Sequence, residues 1–86
     1  MGQLSKLPNI GKVIESELEQ VGIDTIDEFK ALGSKTAWLK LQQIDSSVCL
    51  DHLYALEGAI EGIRWHDLDK ETKNDLKNFY EKHQLN

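Results

Sequence analysis

Cysteine is nearly absent. The 86 residues hold one, Cys49, so no internal disulfide framework exists. One free thiol fits a reducing compartment. The start Met1-Gly2-Gln3-Leu4-Ser5-Lys6 has no apolar stretch behind a basic end, as a secretory signal would. N-myristoylation favours Ser or Thr at position 6, where Lys6 stands. These features predict a cytoplasmic protein. Proline occurs once and glycine six times, which excludes collagen-like and low-complexity chains. No apolar run approaches the roughly 20 residues of a spanning helix, so no membrane partner is expected.

Catalytic and metal signatures are also missing. Cys49 and His52 are three apart, but no second Cys/His pair follows at finger-like spacing, and His66 and His83 stand alone. No metal site is predicted. There is no Gly-x-Ser-x-Gly elbow, no Walker A loop and no dinucleotide fingerprint. Glu57 and Glu61 lie one helical turn apart, a spacing that usually means a solvated face. The chain is read as a non-enzyme with no catalytic residue, no cofactor and no small-molecule substrate. No stretch reads as a linker, so residues 1–86 are expected to form one domain.

The formal net charge is −5, which opposes a polyanionic partner. The charge is uneven. Residues 1–12 carry Lys6 and Lys12 and no acid, and residues 34–44 carry Lys35 and Lys40 and no acid. Between them, Lys30 faces Glu15, Glu17, Glu19, Asp24, Asp27 and Glu28.

Apolar periodicity predicts an all-α, compact bundle of five short helices. Ile10, Val13, Ile14, Leu18 and Val21 fall on one helical face. Gly22 should end that helix in a left-handed conformation, with Ile23 folding back. Thr25-Ile26-Asp27-Glu28 reads as a capping box opening a helix with Ile26, Phe29 and Leu32 inward, stopped by Gly33. Ser34 would cap a third helix with Ala37, Trp38, Leu41 and Ile44 inward. Ser46 or Ser47 would cap a fourth, about 48–63, carrying Cys49, Leu53, Leu56, Ile60 and Ile63 in a stripe that Leu50 and Tyr54 widen. So wide a stripe places this helix at the centre, with Cys49 a small buried hydrophobe. Its small residues Ala55, Gly58, Ala59 and Gly62 suit close packing within the fold. A last helix, roughly 70–83, would bury Leu76, Phe79 and Tyr80.

The segment Leu7-Pro8-Asn9-Ile10-Gly11-Lys12 carries the clearest chemistry. A tight turn opens directly into the first helix. The free N–H groups at such a helix start, with its positive dipole end, suit a phosphate. Gly11 permits close approach of the backbone. The candidate phosphate-binding or DNA-binding residues are Lys6, Asn9, Ile10, Gly11 and Lys12, with Lys35 in a weaker echo, Leu32-Gly33-Ser34-Lys35.

Leu-Pro-Asn-Ile-Gly resembles the helix-hairpin-helix loop Leu-Pro-Gly-Ile-Gly, with Asn9 in place of the first glycine. Over residues 4–83 the chain resembles the C-terminal domain of the TfoX (Sxy) family of competence regulators. The matching stretches include Val21-Gly22-Ile23-Asp24-Thr25, Phe29-Lys30-Ala31-Leu32-Gly33 and, above all, the run from Leu53-Tyr54-Ala55-Leu56-Glu57 through Gly62-Ile63-Arg64-Trp65. The resemblance implies a bacterial, SAM-like bundle with a helix-hairpin-helix-type N-terminal turn, a setting in competence regulation, no cofactor and no catalysis. It reads as a stand-alone copy of that domain.

Two functions follow as expectations. One is a regulatory module that contacts a protein partner or itself, with Arg64 and Trp65 either closing the core or forming an exposed anchor. The alternative is weak, sequence-independent DNA binding through the turn at Asn9–Lys12.

Overall fold

The computed structural model of the chain describes residues 3–84. Every regular element among them is helical. A 3-10 turn, Leu4–Lys6, precedes α1 (Lys12–Gln20), α2 (Ile26–Ile44) and α3 (Leu50–Glu61). A second 3-10 turn, Trp65–Asp67, leads into α4 (Lys70–His83). No helix among the described residues is long and apolar enough to cross a membrane.

Four α-helices stand where the periodicity predicts five. The second and third expected helices run as one element, α2. Gly33 lies inside it at φ 85° and ψ 163°, outside helical geometry. Glycine is the residue that reaches this conformation without a Cβ penalty. The break was foreseen, but Ser34 is not its cap. Its hydroxyl is buried and donates to Glu57 Oε1 at 2.6 Å.

Other caps also differ from expectation. Thr25 Oγ1 accepts from the Glu28 N–H at 3.1 Å, as predicted, but Glu28 returns to the Thr25 hydroxyl (3.2 Å). Ser47 does not cap α3. Its N–H and hydroxyl both donate to Asp45 Oδ1 in the preceding turn. The cap is Cys49, so α3 begins at Leu50 rather than near 48. The Cys49 N–H donates to His52 Nδ1 at 3.2 Å. Cys49 is therefore half-buried at a helix start, not a member of the apolar stripe.

The glycine stops at 22 and 62 hold. Gly22 has φ 88°, and the Ile23 N–H reaches back to the Leu18 carbonyl at 2.9 Å. Gly62 has φ 77°, and the Ile63 N–H reaches the Gly58 carbonyl at 2.9 Å. Both are Schellman closures that satisfy terminal carbonyls.

Helix α3 is central, packed against α2, α4 and the Trp65–Asp67 turn. The core gathers Leu4, Leu18, Ile23, Phe29, Trp38, Leu41, Leu53, Leu56 and Leu76, all essentially inaccessible. Each such side chain contributes about 1.5–3 kcal/mol by leaving water. Phe79 and Tyr80 of α4 pack edge-on against Trp38 with centroids 6.3 and 5.5 Å away. Three residues expected inward face solvent: Val13 is 74% exposed, Ile44 47% and Leu32 38%. Ile44 ends its helix, Leu32 precedes the Gly33 break, and Val13 stands in a first turn, so no neighbouring helix covers them.

Candidate functional site

The turn before α1 forms as its sequence suggests. The Ile10 N–H bonds to the Leu7 carbonyl at 3.4 Å. Asn9 has φ 70°, the positive value of a type II turn at the position after Pro8. Asn tolerates this better than most residues with a Cβ.

Asn9 does more than turn the chain. Its Nδ2 donates to the Ile63 carbonyl at 3.0 Å and, at 3.4 Å, to that of Ala55. Its Oδ1 accepts from the Trp65 N–H at 3.2 Å. One side chain thus latches the turn to the end of α3. Gly58 makes room for it, since a Cβ there would stand 2.6 Å from Asn9 Nδ2 and 2.8 Å from the Ile63 oxygen. Gly58 of α3 therefore admits the Asn9 amide and the Trp65 backbone.

The latch decides how the candidate phosphate residues are used. The Asn9 amide is engaged within the fold, and the Ile10 side chain is buried. Lys6 and Lys12 are exposed at either end of the turn. Gly11 caps α1 with φ −93° and no side-chain hydrogen bond, and nothing lies within 4 Å of where its Cβ would be. Glu15 stands in the first turn of α1, and its Oε2 accepts from the Ser5 N–H at 2.8 Å. That carboxylate already complements the positive end of the helix. Lys35 pairs instead with Asp75 of α4 at 2.6 Å, with its ammonium 5.5 Å from the Phe79 ring centre.

Trp65 is half-buried and packs on the core. Its ring stacks on Tyr54 (centroids 5.8 Å apart) and on His66 (3.9 Å). Arg64 beside it is exposed. The hydrogen bond from Trp65 to Asn9 joins the two groups of residues that the sequence singles out separately.

A second feature lay beyond sequence reasoning. An open cleft of about 560 Å³ runs between the Gly33 break and α4. Lys35 and Ser34 line one side, Glu57 of α3 the floor, and Glu71 and Asp75 of α4 the other side, with Leu32 at its edge. Glu57 belongs with Glu61 to the pair read from the sequence as a solvated face. In the fold Glu61 is pushed up to about 7, first by sharing a hydrogen bond with Glu57, then by partial burial and by the charges of Glu57 and Asp69. Asp69 itself is held below the usual carboxylate range by the Thr72 hydrogen bond that caps α4.

Cys49 Sγ stands 3.3 Å from His52 Nδ1. No group of three or more His, Cys, Asp or Glu side chains among the described residues could hold a metal.

Residues 1–80 match the TfoX C-terminal domain. Protein Sxy of Escherichia coli (strain K12) is 43% identical over 61 residues, which span 71% of this chain and 29% of that protein. The chain thus corresponds to less than a third of this curated relative. A crystal structure of an uncharacterized protein from Listeria monocytogenes, triclinic form, superposes with a TM-score of 0.92 at 54% identity, covering 94% of this chain and 92% of the other. A tetragonal-form structure of a protein of unknown function from Listeria monocytogenes gives 0.90 at 55% identity, covering 93% and 98%. With the domain matched over residues 1–80, the chain belongs to the TfoX C-terminal domain family.

Proposed function

We propose that this chain is a non-enzymatic binding module that acts in regulation through protein–protein contacts. One observation carries the reading: three of the six residues suited to a polyanion, Asn9, Ile10 and Lys35, are engaged within the fold. Lys35 is paired with Asp75, the Asn9 amide with α3, and Glu15 occupies the first turn of α1. What remains is a surface with a net charge of −5, unfavourable for nucleic acid. Family membership supports a regulatory setting, and competence regulation is the form the resemblance implies. A SAM-like topology with a helix-hairpin-helix-type turn is part of the same proposal, supported by the helical layout and the turn geometry. The test is light scattering across a concentration series, with a pull-down using the chain as bait. A dimer or a captured protein is expected. A monomer at every concentration with no captured protein overturns the reading.

Gly11 favours a second reading, weak DNA binding. Neither its φ nor its surroundings demand glycine, so its bareness is left for something outside the fold. A phosphate between Lys6 and Lys12 would use it. Duplex binding at low salt should then weaken steeply as salt is added. Charge reversal at Lys6 and Lys12 should abolish it; unchanged affinity in that variant removes the turn as the site.

A further inference from the structure

We infer that His52 is a proton switch at the start of α3. Neutral, it caps the helix through Nδ1; charged, it leaves the cap for the carboxylates of Glu17 and Asp45 and loosens the corner between α2 and α3.

Hydrogen-bond geometry selects the form of the ring that fits. The N–H of Cys49, the cap residue of α3, donates to His52 Nδ1 at 3.2 Å. That bond uses the lone pair of Nδ1, so the neutral ring carries its proton on Nε2. The Cys49 thiol stands 3.3 Å from the same nitrogen. A proton on Nδ1 sets N–H against N–H, at the helix end whose dipole opposes positive charge. A place for the charged ring lies alongside. Glu17 of α1 and Asp45 of the turn before α3 both sense the charge of the half-buried His52. Glu17 is raised above the usual carboxylate range by partial burial, then by a hydrogen bond and charge repulsion from Asp45; a charged His52 opposes that shift. Asp45 is held low by the Ser47 hydroxyl and N–H, so it stays ionised where a histidine takes up its proton. Glu17, Asp45 and the Cys49 thiol thus face the ring from α1, the turn and the helix start. The cap also reaches the core, since Trp38 Nε1 donates to the Cys49 carbonyl at 3.3 Å. At the far end of α3, the Asn9 latch contains no titratable group, so acid spares it.

The test is NMR on the isotope-labelled full chain, kept reduced, between about pH 7.5 and about pH 5. At the higher pH, His52 should show the Nε2–H tautomer. As the ring takes its proton, protection of the Cys49 amide against exchange should fall about tenfold, the factor for one lost bond of this kind. The Trp65 amide, held by Asn9, should keep its protection. His52→Gln retains an acceptor for the Cys49 N–H but cannot titrate, so Cys49 should stay protected across the whole range. An Nδ1–H tautomer at the higher pH, Cys49 protection that ignores the titration of His52, or the same loss in His52→Gln overturns the proposal. So do equal losses at Cys49 and Trp65, which would mark a general loosening by acid.

Discussion

Asn9 occupies a backbone conformation that a side chain normally disfavours, and its amide explains why. The helix-hairpin-helix loop that the sequence resembles has glycine there, which reaches positive φ without strain. Asn9 accepts some strain and returns hydrogen bonds to Ile63 and Trp65. Asn9→Ala removes the bonds, keeps the Cβ penalty and leaves half-buried backbone groups unpaired, a cost of roughly 2–4 kcal/mol. Asn9→Gly loses the same bonds but relieves the strain, and should cost about 1 kcal/mol less. Urea denaturation of the two variants checks the order. Equal losses would show that strain is negligible, and no loss in either would show that the latch is not structural. The turn was legible because proline and a left-handed residue act locally. The latch was not, because its partners lie 46 to 56 residues away. Gly58 was the trace it left in the sequence, read there only as close packing.

At the scale of elements, glycine stops and apolar stripes read well and serine caps read badly. Gly22 and Gly62 need only their own backbone geometry. Ser34 and Ser47 had competing partners, Glu57 and Asp45, that turned their hydroxyls away from capping. Cys49 took the cap because His52 accepts from its backbone N–H. The Glu57–Glu61 pair within α3 yields a pH dependence. Folded Glu61 holds its proton to about 7, whereas an ordinary glutamate releases it near 4.5. Between those values the folded state binds more protons than the unfolded chain. Its contribution to stability therefore falls as pH rises through that window and levels off above it. Glu61→Gln should flatten this slope and raise the melting temperature at pH 8 by roughly 1–3 °C, the size expected for relief of a like-charge pair one turn apart. Thermal melts at pH 5 and pH 8 decide it. An unchanged slope would mean that Glu61 titrates normally.

On the scale of the whole molecule, charge sorts the two functions. The net value of −5 opposed nucleic acid from the start, and the two basic segments kept the alternative open. The fold draws one of those segments away, since Lys35 meets Asp75 across α2 and α4. The cleft beside that pair is a product of tertiary structure, with walls from three helices, and no local pattern announces it. Site-specific photo-crosslinking in living cells separates protein from nucleic acid directly. One photoreactive side chain replaces the exposed Arg64 beside Trp65, and another replaces Lys12 at the turn. Our account predicts an adduct at position 64 that is destroyed by protease and untouched by nuclease. A nuclease-sensitive adduct at position 12, with none at position 64, would contradict it.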